Sequence, residues 1–90
     1  MSFLTNLFGA KNKYNDEQLV AQAMNAITVD PLISDPSALV VTSKKGVITL
    51  GGIVYRAQEK ERIEGVVRNA LTTVGLKHAS FVNELKLARK

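Results

Sequence analysis

The sequence predicts an α+β domain, an α-β-β-α-β two-layer sandwich with a three-stranded sheet and two helices packed on one face. Three observations lead there. Residues 41–53 hold two β-branched stretches that meet at the turn Ser43-Lys44-Lys45-Gly46, which is a hairpin pattern. Two segments of helical apolar spacing flank that hairpin, one before residue 30 and one after residue 57. A short alternating stretch, Phe81-Val82-Asn83-Glu84-Leu85-Lys86-Leu87, closes the pattern. A small sheet that buries one face under two amphipathic helices satisfies all three.

The first helix is expected to start at Asn15. Its side chain can accept from the free amides of the first turn, and Gln18 stands where a capping box needs it. Asp16 and Glu17 suit the positive helix end. Leu19, Val20, Ala23, Ala26 and Ile27 form the apolar stripe. Asp30-Pro31 ends the helix, because a residue before proline is driven out of the α region.

Leu39 and Val41 share one face of the first strand, residues 39–43. Ile48, Leu50, Gly52 and Val54 share one face of the second, residues 47–54. Gly46 can take the positive φ that the turn requires. Gly51-Gly52 within a strand indicates a bulge or a close backbone approach, and a helix packed over Gly52 is the expected cause. The second helix, about residues 57–74, carries Ile63, Val66, Val67, Ala70, Leu71 and Val74 on its buried side. Glu59, Lys60, Glu61, Arg62, Glu64 and Arg68 are read as a solvated face with weak i,i+4 pairs. Gly75 stops it. In the third strand Phe81, Leu85 and Leu87 share a face, with Asn83 between them.

The outer sheet face would then carry Val40, Thr42, Val47, Thr49 and Ile53. Val40, Val47 and Ile53 are apolar and β-branched, so they are candidates for a partner face. The front segment, a second copy of the chain or another domain could cover it.

Ninety residues make one domain with a single modest core. The expected division is an amphipathic N-terminal segment, 1–14, and a globular domain, 15–90. With no Cys, disulfides and thiolate metal sites are excluded. The net charge of +4 permits anionic partners such as lipid headgroups or nucleic acid. Nucleic acid is the less favoured. Three Phe and two Tyr are the only aromatics, Phe3, Phe8 and Tyr14 lie outside the expected sheet, and no stacking platform results.

The front segment places Phe3, Leu4, Leu7 and Phe8 on one side of a turn and a half of helix, followed by Gly9 and by Lys11 and Lys13. Three readings stand: packing on the domain's own surface, docking on a membrane interface with Lys11 and Lys13 over anionic headgroups, or a frayed tail. Leaving four large apolar side chains in water costs up to ~1.5–3 kcal/mol each, which disfavours fraying. The segment has no basic start and Thr5 and Asn6 interrupt its apolar part, unlike a secretory signal. The chain is therefore read as mature and cytoplasmic.

Nothing in the residues points to a reaction. His78 is the only His, so Ser-His catalysis and zinc ligation lack their partners. Asp30 and Asp35 flank prolines and could face one loop, but two carboxylates fall short of a hard-cation site. Backbone carbonyls would have to complete any potassium site. The simpler reading makes both aspartates helix-end and turn formers.

Taken together, the apolar helix before Asp30-Pro31, the strand-turn from Val41 through Gly46-Val47, Leu50-x-Gly52-x-Val54, the second helix, and Val82-Asn83-x-Leu85-x-Leu87 resemble the BON domain. This small module occurs in bacterial osmotic-shock and nodulation proteins. The resemblance spans about residues 15–87 and rests on core positions and glycines. It implies a non-catalytic binding or attachment module that contacts phospholipid membranes under osmotic stress. The layout is most similar to the cytoplasmic potassium-binding branch, where a BON domain is joined to a LysM domain. No LysM-like part is found in these 90 residues, so a potassium site shared between the two domains would be incomplete.

Overall fold

A computed structural model describes residues 13–88. Asn15 caps the first helix, α1 (Asp16–Val29), by accepting from the Gln18 amide at 3.1 Å. The helix ends where Asp30 turns extended ahead of Pro31. A single 3-10 turn, Pro36–Ala38, leads into β1 (Leu39–Lys44), which pairs antiparallel with β2 (Val47–Val54). The second helix, α2 (Gln58–Val74), stops at a left-handed Gly75, whose N–H reaches the Leu71 and Thr72 carbonyls. The chain returns parallel to β2 as β3 (Ser80–Asn83) and β4 (Lys86–Leu87).

The α+β two-layer architecture is as the sequence predicts. One detail differs. The third strand is divided, so the sheet has four strand segments rather than three. Both β3 and β4 lie on the same edge of β2 and keep one register, with Val47 opposite Ser80 and Ile53 opposite Lys86. The interruption at Glu84 and Leu85 falls opposite Gly51-Gly52. There the Asn83 side chain turns back to accept from the Leu85 amide at 3.2 Å.

The alternation of β1 and β2 sends Leu39, Val41, Ile48, Leu50 and Val54 toward the helices, where all are buried. Leu19, Ala23 and Ile27 meet them from α1, and Ile63, Val67 and Leu71 from α2. Ile33 and Leu85 complete the cluster. Each fully buried Leu, Ile or Val contributes about 1.5–3 kcal/mol. Val66 and Ala70 are only half-buried and Val74 is 53% exposed, so the buried stripe of α2 is narrower than its apolar spacing suggests. Leu87 shares the inward parity but lies at the sheet's end, beyond helix cover, and is also exposed.

Gly52 has φ +109°, and the element close to it is not a helix. A Cβ there would collide with the Ala38 carbonyl oxygen and stand 2.8 Å from the Leu39 Cα. The approach comes from the backbone entering β1, which crosses this part of β2 too closely for any side chain.

Candidate functional site

The chain enters the domain at the hairpin end. Tyr14 packs against the core cluster and its ring occupies the place where a Cβ of Gly46 would be, 2.5 Å from the Cδ1 and Cγ positions. Gly46 has φ +81° and Lys45 has φ +50°, so two consecutive residues are left-handed. Asp16 holds this turn. Its Oδ2 accepts from the Lys45 amide at 2.8 Å, and its Oδ1 accepts from the Gly46 amide at 2.9 Å and the Ser43 hydroxyl at 2.7 Å. The other side of the turn is fixed by the segment leading into β3, because the Ala79 amide donates to the Gly46 carbonyl at 2.8 Å.

Of the expected membrane-contact residues, Lys13 is described and exposed. Phe3, Leu4, Leu7, Phe8 and Lys11 lie outside the described residues. The position of Tyr14 nevertheless fixes where the N-terminal segment joins the domain, at the β1–β2 turn. The candidate partner face is where the pattern puts it. Val40 is 58% exposed, Ile53 40% and Val47 half-buried, all pointing away from the helices, and Val82 joins them from β3.

Asp30 and Asp35 do not converge on one site. Asp30 pairs with Arg62 at 2.9 Å and accepts from the Leu32 amide at 2.8 Å, while Asp35 accepts from the Ser37 hydroxyl at 2.6 Å. Burial pushes the Asp30 carboxyl up, but the Leu32 amide and the Arg62 guanidinium outweigh it and hold the group below the ordinary carboxylate range. These contacts fit helix-end and turn roles for both residues. Among the described residues no group of three or more His, Asp or Glu is placed to hold a metal ion.

The charged face of α2 differs from expectation. Glu59 is not solvated: it is 4% exposed and accepts from the Ser34 hydroxyl. Arg62 reaches across to α1 through Asp30 instead of pairing within its helix. Only Glu64 and Arg68 form an i,i+4 pair among the described residues, at 2.6 Å. Glu64 also accepts from the Asn83 amide at 3.1 Å. These two donors, Asn83 foremost, hold the Glu64 carboxyl below its usual range. His78 stands edge-on to Phe81 at 5.1 Å between ring centroids, and its Nδ1 is buried with no hydrogen-bond partner. Arg68 lies over Phe81, 5.0 Å from the ring centroid.

The contacts of Tyr14 and Asp16 at the turn, and the separate bond between Ser34 and Glu59, were not legible in the sequence. The sequence marks Asp16 only as an acid suited to a helix start and Glu59 only as part of a charged face, and their partners lie 25 or more residues away. No helix among the described residues is long and apolar enough to cross a membrane. No family model matches the chain, and no curated protein is significantly similar to it.

Proposed function

We propose that this chain is a non-catalytic, cytoplasmic binding module of the BON type that contacts the anionic phospholipid surface of a membrane, in a response to osmotic or envelope stress. Phe3, Leu4, Leu7 and Phe8 enter the headgroup boundary, and Lys11 and Lys13 sit over the phosphates. The supporting observation is the anchoring of Tyr14 on Gly46. It puts Tyr14, which the amphipathic segment precedes in sequence, at the hairpin end of the domain. A short apolar segment alone binds a bilayer marginally, and basic residues beside it supply the second attraction that stable binding needs.

The test is co-sedimentation of the full chain with vesicles of phosphatidylglycerol and phosphatidylcholine, and with vesicles of phosphatidylcholine alone. Binding to the anionic vesicles that disappears in the variant F3S/L4S/L7S/F8S supports the reading. Unchanged binding in that variant removes these residues as the contact site.

Val40 and Ile53, exposed on the outer sheet face that also carries half-buried Val47, favour a second reading, a docking or self-association face. Sedimentation velocity of the wild type and of V40K/I53K checks self-association. A single monomeric species at every concentration eliminates a second copy as the occupant.

A further inference from the structure

The charges of the described residues are distributed unevenly along the domain. Lys44 and Lys45 form the β1–β2 turn, and Lys13 precedes the Tyr14 that packs on that turn. Lys77 is brought to the same end by the bond from the Ala79 amide to the Gly46 carbonyl. All four lysines are exposed. The carboxylates at this end are Glu17 and Asp16, and Asp16 is turned inward to three donors of the turn. At the opposite end, Asp30, Asp35, Glu59, Glu61 and Glu84 outnumber Arg56, Lys60, Arg62 and Lys86. Among the described residues the domain is thus basic at the turn and close to neutral at its far end. The basic end is the one from which the N-terminal segment departs.

We infer that Lys44, Lys45 and Lys77, with Lys13, form a basic platform that faces the anionic bilayer and completes the contact made by the N-terminal segment. The inference rests on the membrane reading above and adds to it the orientation of the domain. The turn meets the headgroups, and the sheet and both helices extend away from the surface, leaving the start of α2 and the end of β4 pointing outward. The three chain segments that carry these lysines are cross-tied by Asp16 and by the Gly46 carbonyl. The charges are therefore presented as a fixed group within about one Debye length of the membrane plane. Each lysine so placed strengthens partitioning roughly fivefold.

The experiment compares two full-length variants of equal net charge on vesicles made of phosphatidylglycerol and phosphatidylcholine in equal parts. One removes the platform, K44Q/K45Q/K77Q. The other removes three cations from the far end, R56Q/K60Q/K86Q. The platform variant is expected to bind at least about tenfold more weakly than wild type, with a reduced dependence on salt, and the far-end variant within about twofold of it. K44R/K45R/K77R retains binding, and this charge-conserving variant separates lost attraction from lost folding. Equal weakening by the two neutralised variants overturns the platform in favour of net charge alone. A platform variant that binds like wild type, while F3S/L4S/L7S/F8S does not bind, overturns the platform and leaves the membrane reading standing. Wild type that ignores the vesicles overturns both.

Discussion

The carboxylate of Asp16 binds the amide of Gly46, thirty residues further along the chain, at 2.9 Å. A helix N-terminus thereby grips a β-turn. Asp16 is the first residue of α1, and its acceptor oxygens face the Lys45 and Gly46 amides, which the left-handed turn directs to one side. The bond couples the first helix to the hairpin. Asp16→Ala removes three acceptor contacts and leaves the part-buried Gly46 amide without this acceptor. The expected loss is about 1–3 kcal/mol. Asp16→Asn keeps one acceptor oxygen and loses less. Urea denaturation of the three proteins reads this directly, and an alanine variant as stable as wild type would show that the grip is incidental.

Gly52 and Gly65 should respond to alanine in opposite directions. At Gly52 the left-handed φ and the Ala38 and Leu39 backbone leave no place for a methyl group, and backbone cannot move aside as a flexible side chain can. Gly52→Ala is expected to cost more than about 2 kcal/mol. Gly65 lies in the interior of α2 with nothing within 4 Å of a built Cβ. Gly65→Ala should stabilise by about 0.5–1 kcal/mol through helix propensity. Thermal melts of the pair give the two signs.

The contrast between these glycines marks how far the sequence could be read. Strand alternation and helical spacing place Leu19, Ile27, Ile48, Leu50, Ile63 and Leu71 in one core, because periodicity is imposed locally by the backbone and the core follows from it. The same logic leaves Val40 and Ile53 outside. Gly52 announces a close approach but not its source, since a missing side chain records crowding without direction. The charged run of α2 is read only in part: Glu61, Arg62 and Arg68 are exposed and Glu64–Arg68 pairs at i,i+4, but Glu59 is buried. Glu59, Arg62 and Glu64 have the spacing of a solvated face, yet each is held by a residue from another element: Ser34, Asp30 and Asn83. Short-range pattern cannot reveal a partner that only the tertiary fold supplies. Lys77 was silent for the same reason, as its place beside the turn depends on one bond between Ala79 and Gly46.

The bond between Ser34 and Glu59 has a testable asymmetry. Glu59 is almost wholly buried, and the Ser34 hydroxyl donates to it across the junction between the loop after α1 and the start of α2. Ser34→Ala takes the donor and leaves the carboxylate in place, so the variant should lose about 1–3 kcal/mol. Glu59→Gln keeps the shape and an acceptor for Ser34 and should lose less. A double-mutant cycle with Ser34→Ala and Glu59→Ala is expected to give a coupling of about 1 kcal/mol or more. Additive effects would mean that the two residues stabilise the junction independently.

Asp30 and Glu64 give the fold a defined acid response. Both carboxyls are held below their ordinary range, Asp30 by the Leu32 amide and Arg62 against the opposing effect of burial, and Glu64 by Asn83 and Arg68. A carboxyl with a lowered native pKa binds fewer protons folded than unfolded in the window between the two values. Its stabilising contribution is therefore complete above the unfolded value, near pH 4 for both residue types. It declines as the pH falls through that value and is gone below the lowered native one. The contributions are modest, because Arg62 and Arg68 are 42% and 52% exposed and water screens both pairs. Replacing both acids in D30N/E64Q should cost roughly 1 kcal/mol at neutral pH, and the variant's stability should fall less steeply with acid. Chemical denaturation from neutral pH down to about pH 3 measures both curves. They are expected to converge at the acid end. Parallel curves would assign the acid limb to other carboxylates and leave Asp30 and Glu64 with a purely geometric part in joining α2 to its neighbours.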